Sequence, residues 1–181
     1  MTLALRRLSP QVQLDVTIDD LAFVAADAIA RPVNGRLRAS TALMRRVEEA
    51  GGPSLSSQLK VASPLALGSA VVSAGGALEA PLVIHAVVMT DDEPVSRAGV
   101  TRATTSALQR ARDWQIERLA LAPFGLGAGN LTIDESASAM LAAIAEHAEG
   151  AAYPTCVTIV VENDYEAEAF RAARAHQWSE T

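Results

Sequence analysis

The chain has a single cysteine in 181 residues, Cys156, which excludes an internal disulfide and a cysteine-rich zinc site. It has no apolar run near the roughly 20 residues that span a bilayer, so no transmembrane helix is expected. No secretory leader is expected either, because "MTLALRRLSP" places its arginines after the apolar residues and lacks a long apolar core. Together these absences predict a cytoplasmic location and no membrane partner. Positive charge is in deficit, with 15 Lys and Arg against 21 Asp and Glu and a formal charge of −6. Such a surface repels nucleic-acid phosphates unless a strong local basic patch offsets it. Arg31, Arg36, Arg38, Arg45 and Arg46 cluster in sequence, and the expectation for them is a solvated helical face. Cys156 lies in the apolar run "TCVTIVV" and reads as a buried, unreactive thiol.

Hydrophobic residues make up 50% of the chain and charged residues 20%, the balance of a folded domain. The length fits one domain over residues 1–181 with a core of about 11–175. "QVQLDVT" alternates as a strand does, and the stretch ending "DAIARPVN" is a second apolar run that Pro32 and Asn34 are expected to break. "STALMRRVEEAGG" predicts a helix with a Gly51-Gly52 stop. "GSAVVSAGGAL" and "PLVIHAVVM" predict two strands joined by a glycine turn. A helical stripe follows from Ser96 to about Trp114. "RLALAP" is a short strand, "TIDESASAMLAAIAEHAEG" a helix with Met140, Leu141 and Ile144 on its apolar stripe, "CVTIVVEN" a strand covered on both faces, and "DYEAEAFRAARAHQ" a closing helix. Strands and helices alternate through the second half, which predicts an α/β fold with a substantially parallel sheet.

"LAPFGLGAGNL" carries the chemistry. Gly125, Gly127 and Gly129 follow a strand, where open α/β sheets place ligands, and glycine lets backbone amides approach an anion. The spacing is neither a P-loop nor G-x-G-x-x-G. Thr132 and Glu135 predict a capping box, which puts Asp134 and Glu135 where they repel phosphate from the following helix. An anion would have to lie on the loop itself, and on these grounds a plain turn and a ligand loop stand equal. Asp20 and Asn34 sit at expected strand ends. An aspartate there can accept from an adenine amino group and an asparagine can serve a ribose hydroxyl, or each can simply make a turn.

In order and spacing, from about Gln13 to Phe170, the chain resembles a macro domain, the α/β module known for binding ADP-ribose. "DDLAFVAADAIARPVN" matches the family's opening pattern. "GSAVVSAGGALEAPLVIHAVV" matches its middle pattern, with Ser73 for threonine, and "LAPFGLGAGN" matches its later loop. The resemblance implies a three-layer α/β/α fold with a mixed, mainly parallel central sheet. It places Asp20 and Leu21 at the adenine, Asn34 near the distal ribose, and Gly125, Leu126, Gly127, Ala128, Gly129 and Asn130 around the diphosphate. His85 matches a strand histidine and is read as a structural residue.

Departures from the family pattern modify that reading. Arg31 stands at the family's first asparagine, and Pro32 and Val33 at its two alanines. Ser40, Thr41 and Ala42 replace a glycine triplet that approaches diphosphate, which implies modest affinity. Leu43 and Met44 stand where hydrolytic members often carry an aspartate, so no catalytic residue is assigned. The expected function is binding of ADP-ribose or a related nucleotide diphosphate without efficient hydrolysis, with no cofactor or metal. One alternative is a hydrolase in which Asn34 orients ribose or water; another is a scaffold for oligomerisation or partner binding.

Overall fold

The computed structural model describes residues 12–60, 64–127 and 131–178. Among the described residues six strands and four helices follow in order: β1 (Gln13–Ile18), β2 (Ala28–Asn34), α1 (Ala42–Gln58), β3 (Ala70–Ala74), β4 (Leu82–Met89), α2 (Arg97–Asp113), β5 (Arg118–Leu121), α3 (Ile133–Ala148), β6 (Cys156–Val161) and α4 (Asp164–Trp178). The strands form one sheet in the order β1-β6-β5-β2-β4-β3, parallel throughout except for the antiparallel β3–β4 pair. Among the described residues β1 pairs only with β6, from Gln13 opposite Cys156 to Ile18 opposite Val161. The fold is therefore the expected α/β type with a mixed, mainly parallel sheet.

Alternation along β2 decides what covers each face. Ala28 and Ala30 face one core, shared with Val100, Ala103 and Leu108 of α2 and with Met140, Leu141 and Ile144 of α3. Ile29 faces a second core with Val83, Val160 and the α1 residues Met44, Val47 and Leu55. Three helices thus lie on one face and α1 on the other. Among the described residues no helix is long and apolar enough to cross a membrane.

Four local expectations need correction or refinement. Pro32 does not break β2, which runs on to Asn34. Ala30 gives its carbonyl to Ala122 N, so by two-residue alternation Pro32 also faces β5. β5 has already ended at Leu121, and the absent N–H of Pro32 falls on a stretch without a partner strand. Gly52, at φ 70, does stop the first part of α1, but helix resumes at Pro53 and continues to Gln58. Cys156 is half-buried rather than buried. Arg31 belongs to no solvated face, for it lies on β2 with zero exposure.

Candidate functional site

Beyond Leu121 the chain leaves β5 toward β6, whereas beyond Asn34 it leaves β2 toward β3 and β4. That divergence is a topological switch point, and it opens a crevice at the carboxyl ends of the two strands. A cleft of about 480 Å³ lies there, within the size range of small-molecule sites. Its floor includes Pro32 and Ala122, and its walls come from the start of α1, the glycine loop and the start of α4.

The α1 wall contains Ser40, Thr41 and Ala42. Thr41 is the helix N-cap, and its Oγ1 accepts from Met44 N at 3.3 Å. The N–H groups of Ala42 and Leu43 open the helix, where no intrahelical acceptor is available, and both residues line the cleft. Arg45 adds an exposed cation beside them, with no ion-pair partner among the described residues.

The opposite wall contains Leu126 and Gly127. Gly127 has φ 78, and a Cβ built there would meet Thr41 Cγ2 at 2.8 Å. The two loops therefore approach to the limit that a glycine permits. Gly125, at φ 85, is pressed instead against the core, where a Cβ would meet Val100 Cγ2 at 2.8 Å. Ser136 Oγ donates to Phe124 O at 2.6 Å and anchors the loop's start on α3. Thr132 and Glu135 form the expected capping box. Ala128, Gly129 and Asn130 lie outside the described residues.

Glu162 and Glu166 supply an acidic end. Glu166 Oε2 accepts from Glu162 N at 2.9 Å, and Glu162 Oε1 lies 3.2 Å from Arg46 Nη2. Arg46 Nη2 also stands 3.8 Å from Asp20 Oδ2; the expected adenine-reading carboxylate is not among the cleft's lining residues and connects to it only through Arg46 and Glu162. Asp20 Oδ1 accepts from Ala22 N at 3.0 Å and shapes its own turn. The Leu21 side chain is buried among apolar residues, leaving only its backbone for a ligand. Asn34 does not line the cleft. Its Oδ1 accepts from Arg36 N at 2.9 Å and Arg38 N at 3.1 Å, although it follows the cleft residue Pro32 by only two positions.

Sequence reasoning missed Pro32, Arg45, Glu162 and Glu166 as cleft residues. The position of Glu162 and Glu166 directly after the buried strand "CVTIVV" was a usable signal, because strand ends carry ligand sites in open α/β sheets. Beneath the cleft's α1 wall, Arg31 Nη1 pairs with Glu48 Oε1 at 2.8 Å and Arg31 Nε donates to His85 Nδ1 at 2.9 Å. His85 Nε2 then donates to Ser73 Oγ at 2.7 Å. Burial and the neighbouring Arg31 charge push His85 down to about 3, so the imidazole is neutral. Among the described residues no cluster of three metal-ligating side chains occurs.

Fold and cleft define the α/β class in which ligands bind at diverging strand ends. The family identity follows from comparison: the Macro domain family matches residues 30–140, more than half the chain, and this chain belongs to it. An uncharacterised Mycobacterium tuberculosis protein is 33% identical over 162 residues, covering 90% of this chain and 45% of that protein. The chain thus spans less than half the length of that relative. The Oceanobacillus iheyensis macrodomain with ADP superposes with a TM-score of 0.82 at 15% identity, over 93% of each chain. A point mutant of that macrodomain with ADPR gives 0.78 at 16% identity, over 90% of this chain and 92% of the other.

Proposed function

We propose that the cleft binds ADP-ribose or a related nucleotide diphosphate, and that this cytoplasmic domain does not hydrolyse it efficiently. The approach of Thr41 to Gly127 carries the reading, because it brings the opening N–H groups of α1 and a glycine loop to one gap. Diphosphate in that gap takes charge-assisted bonds from backbone amides and from Arg45. The acidic end offers acceptors for hydroxyl and amino groups, as a nucleotide's sugar and base require. Asp20 and the Leu21 backbone read adenine, and a distal ribose reaching past Pro32, beyond the cleft's own lining, meets Asn34 through Nδ2, since its Oδ1 is occupied. Ser40, Thr41 and Ala42, with the loop from Gly125 to Asn130, hold the diphosphate.

The relatives with bound ADP and ADPR support this assignment. The reading without hydrolysis rests on the α1 wall, where Leu43 and Met44 supply no carboxylate. Glu162 is held by Arg46 and Glu166 by the Glu162 N–H, arrangements that favour a fixed acceptor over a mobile base. Calorimetry with ADP-ribose, ADP and AMP tests binding, with micromolar affinity expected for the first two and loss on removing the second phosphate. Failure of all three to bind sinks the proposal. Rapid turnover of ADP-ribosylated substrates would overturn its second half alone.

A further inference from the structure

A second cavity, of about 310 Å³, lies farther along α1 and shares no lining residue with the cleft. Arg36, Arg38 and Lys60 meet at it. All three are exposed, and none has an ion-pair partner among the described residues. The cavity's one carboxylate, Glu48, is committed elsewhere: its Oε1 takes Arg31 Nη1 at 2.8 Å and Ala39 N at 3.0 Å. Glu48 and the buried Arg31 neutralise each other, leaving three uncompensated positive charges in one concavity. On a chain of net charge −6 this is a local inversion of sign.

The arginines are held in place by a constrained loop. Between them Leu37 adopts φ 60, a left-handed conformation disfavoured for leucine, and only a well-determined setting retains it. Its side chain is buried beside Val33 and Val87, and its carbonyl accepts from Arg31 Nη2 at 3.1 Å. Asn34 Oδ1 meanwhile accepts both Arg36 N and Arg38 N. With Leu37 pinned, Arg36 and Arg38 on either side of it both line the cavity. Lys60 follows the carbonyl end of α1, which its charge complements, so selectivity falls to the two arginines. Their planar forks match phosphate oxygens.

We propose that this cavity is a second, independent site for a phosphate group, free or carried on a phosphodiester chain. Like charges gathered in a concave surface repel one another, and a phosphate relieves that repulsion while accepting charge-assisted hydrogen bonds. The two cavities share no lining residue.

The test is an amide-resolved NMR titration of the full chain with sodium pyrophosphate at fixed ionic strength. The amides of Arg36, Leu37, Arg38 and Lys60 should shift with one midpoint. In an Arg36→Gln/Arg38→Gln variant that midpoint should rise about tenfold or more, while responses at Thr41 to Met44 stay as in the parent. Both substitutions are at exposed side chains, and an otherwise unchanged spectrum verifies folding. A thymidine pentanucleotide forms the second arm: tighter binding than pyrophosphate assigns a phosphodiester chain, weaker binding a free anion, and either supports the site. Silent amides at 36–38, an unchanged midpoint in the variant, or an equal response to chloride would overturn it.

Discussion

Arg31 Nε and His85 Nδ1 lie 2.9 Å apart at the middle of the sheet, joining two side chains with no solvent exposure. The bond requires a bare Nδ1, which fixes the proton of His85 on Nε2 and directs it to Ser73. Arg31 is drawn below its usual pKa by burial and held up by Glu48, so the ion pair keeps its charge inside. Where the family pattern has asparagine, this chain has built a polar spine across the α1 side of the sheet.

That spine makes stability depend on pH. Unfolded, His85 takes up a proton near its ordinary 6.5; folded, it does so only near 3. Between those values the unfolded chain binds more protons, so the contribution is complete above 6.5 and is lost progressively as pH falls. From about pH 7.5 to about pH 5 the loss should be roughly 2 kcal/mol. Urea midpoints at the two pH values measure it. A His85→Gln variant, without a titrating ring, should show a flatter profile; the same slope in both proteins removes His85 as its source.

Arg31→Met should destabilise the fold by about 3 kcal/mol, because Glu48 and the carbonyls of Leu37 and Met44 lose their donor. Arg31→Asn, although it restores the family's residue, should do no better, since the shorter side chain cannot reach Glu48. Adding Glu48→Gln to Arg31→Met should recover part of the loss. Denaturant unfolding decides this, and an Arg31→Met protein as stable as its parent would show that the ion pair contributes nothing net.

Gly127→Ala should weaken ADP-ribose binding at least about tenfold, as the new Cβ must displace Thr41 and sit at a positive φ. Thr41→Ser keeps the N-cap hydroxyl and removes the obstructing methyl, so the double variant should bind better than Gly127→Ala alone. Calorimetry on the four proteins forms a complete cycle. Strict additivity would mean that the two loops do not meet in solution as they do here.

Asp20→Asn retains an acceptor for Ala22 N but removes the charge facing Arg46. Stability should change by less than about 1 kcal/mol, because the ion pair is long and solvent-screened. ADP-ribose affinity should fall about ten- to a hundredfold if this carboxylate reads adenine. Equal affinity for the parent and the variant would leave Asp20 as a turn residue only.

Most elements could be read from local pattern. The apolar spacing from Ser96 to about Trp114 bounds α2 almost to the residue, and Thr132 with Glu135 announced the start of α3. What escaped were relations between distant segments. Arg31 looked like a surface cation because its partners are 17 and 54 positions away, at Glu48 and His85. Pro32 looked like a terminator because nothing near it in sequence says that β5 ends one residue too early to require its N–H. Thr41, read as an obstacle to diphosphate, also serves as an N-cap and packs its methyl on Gly127, two roles that only the meeting of both loops discloses.

Between β1 and its partner β6 the chain runs from Ile18 to Cys156. During synthesis β1 emerges well before this partner, and at ordinary elongation rates it waits roughly 7–30 s for β6. Over that interval β2, β4 and β5 can associate, but the sheet's edge stays unfinished beside β5. Closure is then a late, long-range event of the kind that slows folding. The wall bearing Glu162 and Glu166 follows β6 directly, so the cleft acquires its acidic end only when the last strand slots between the first and the fifth. Formation of the cleft is thereby tied to the arrival of β6.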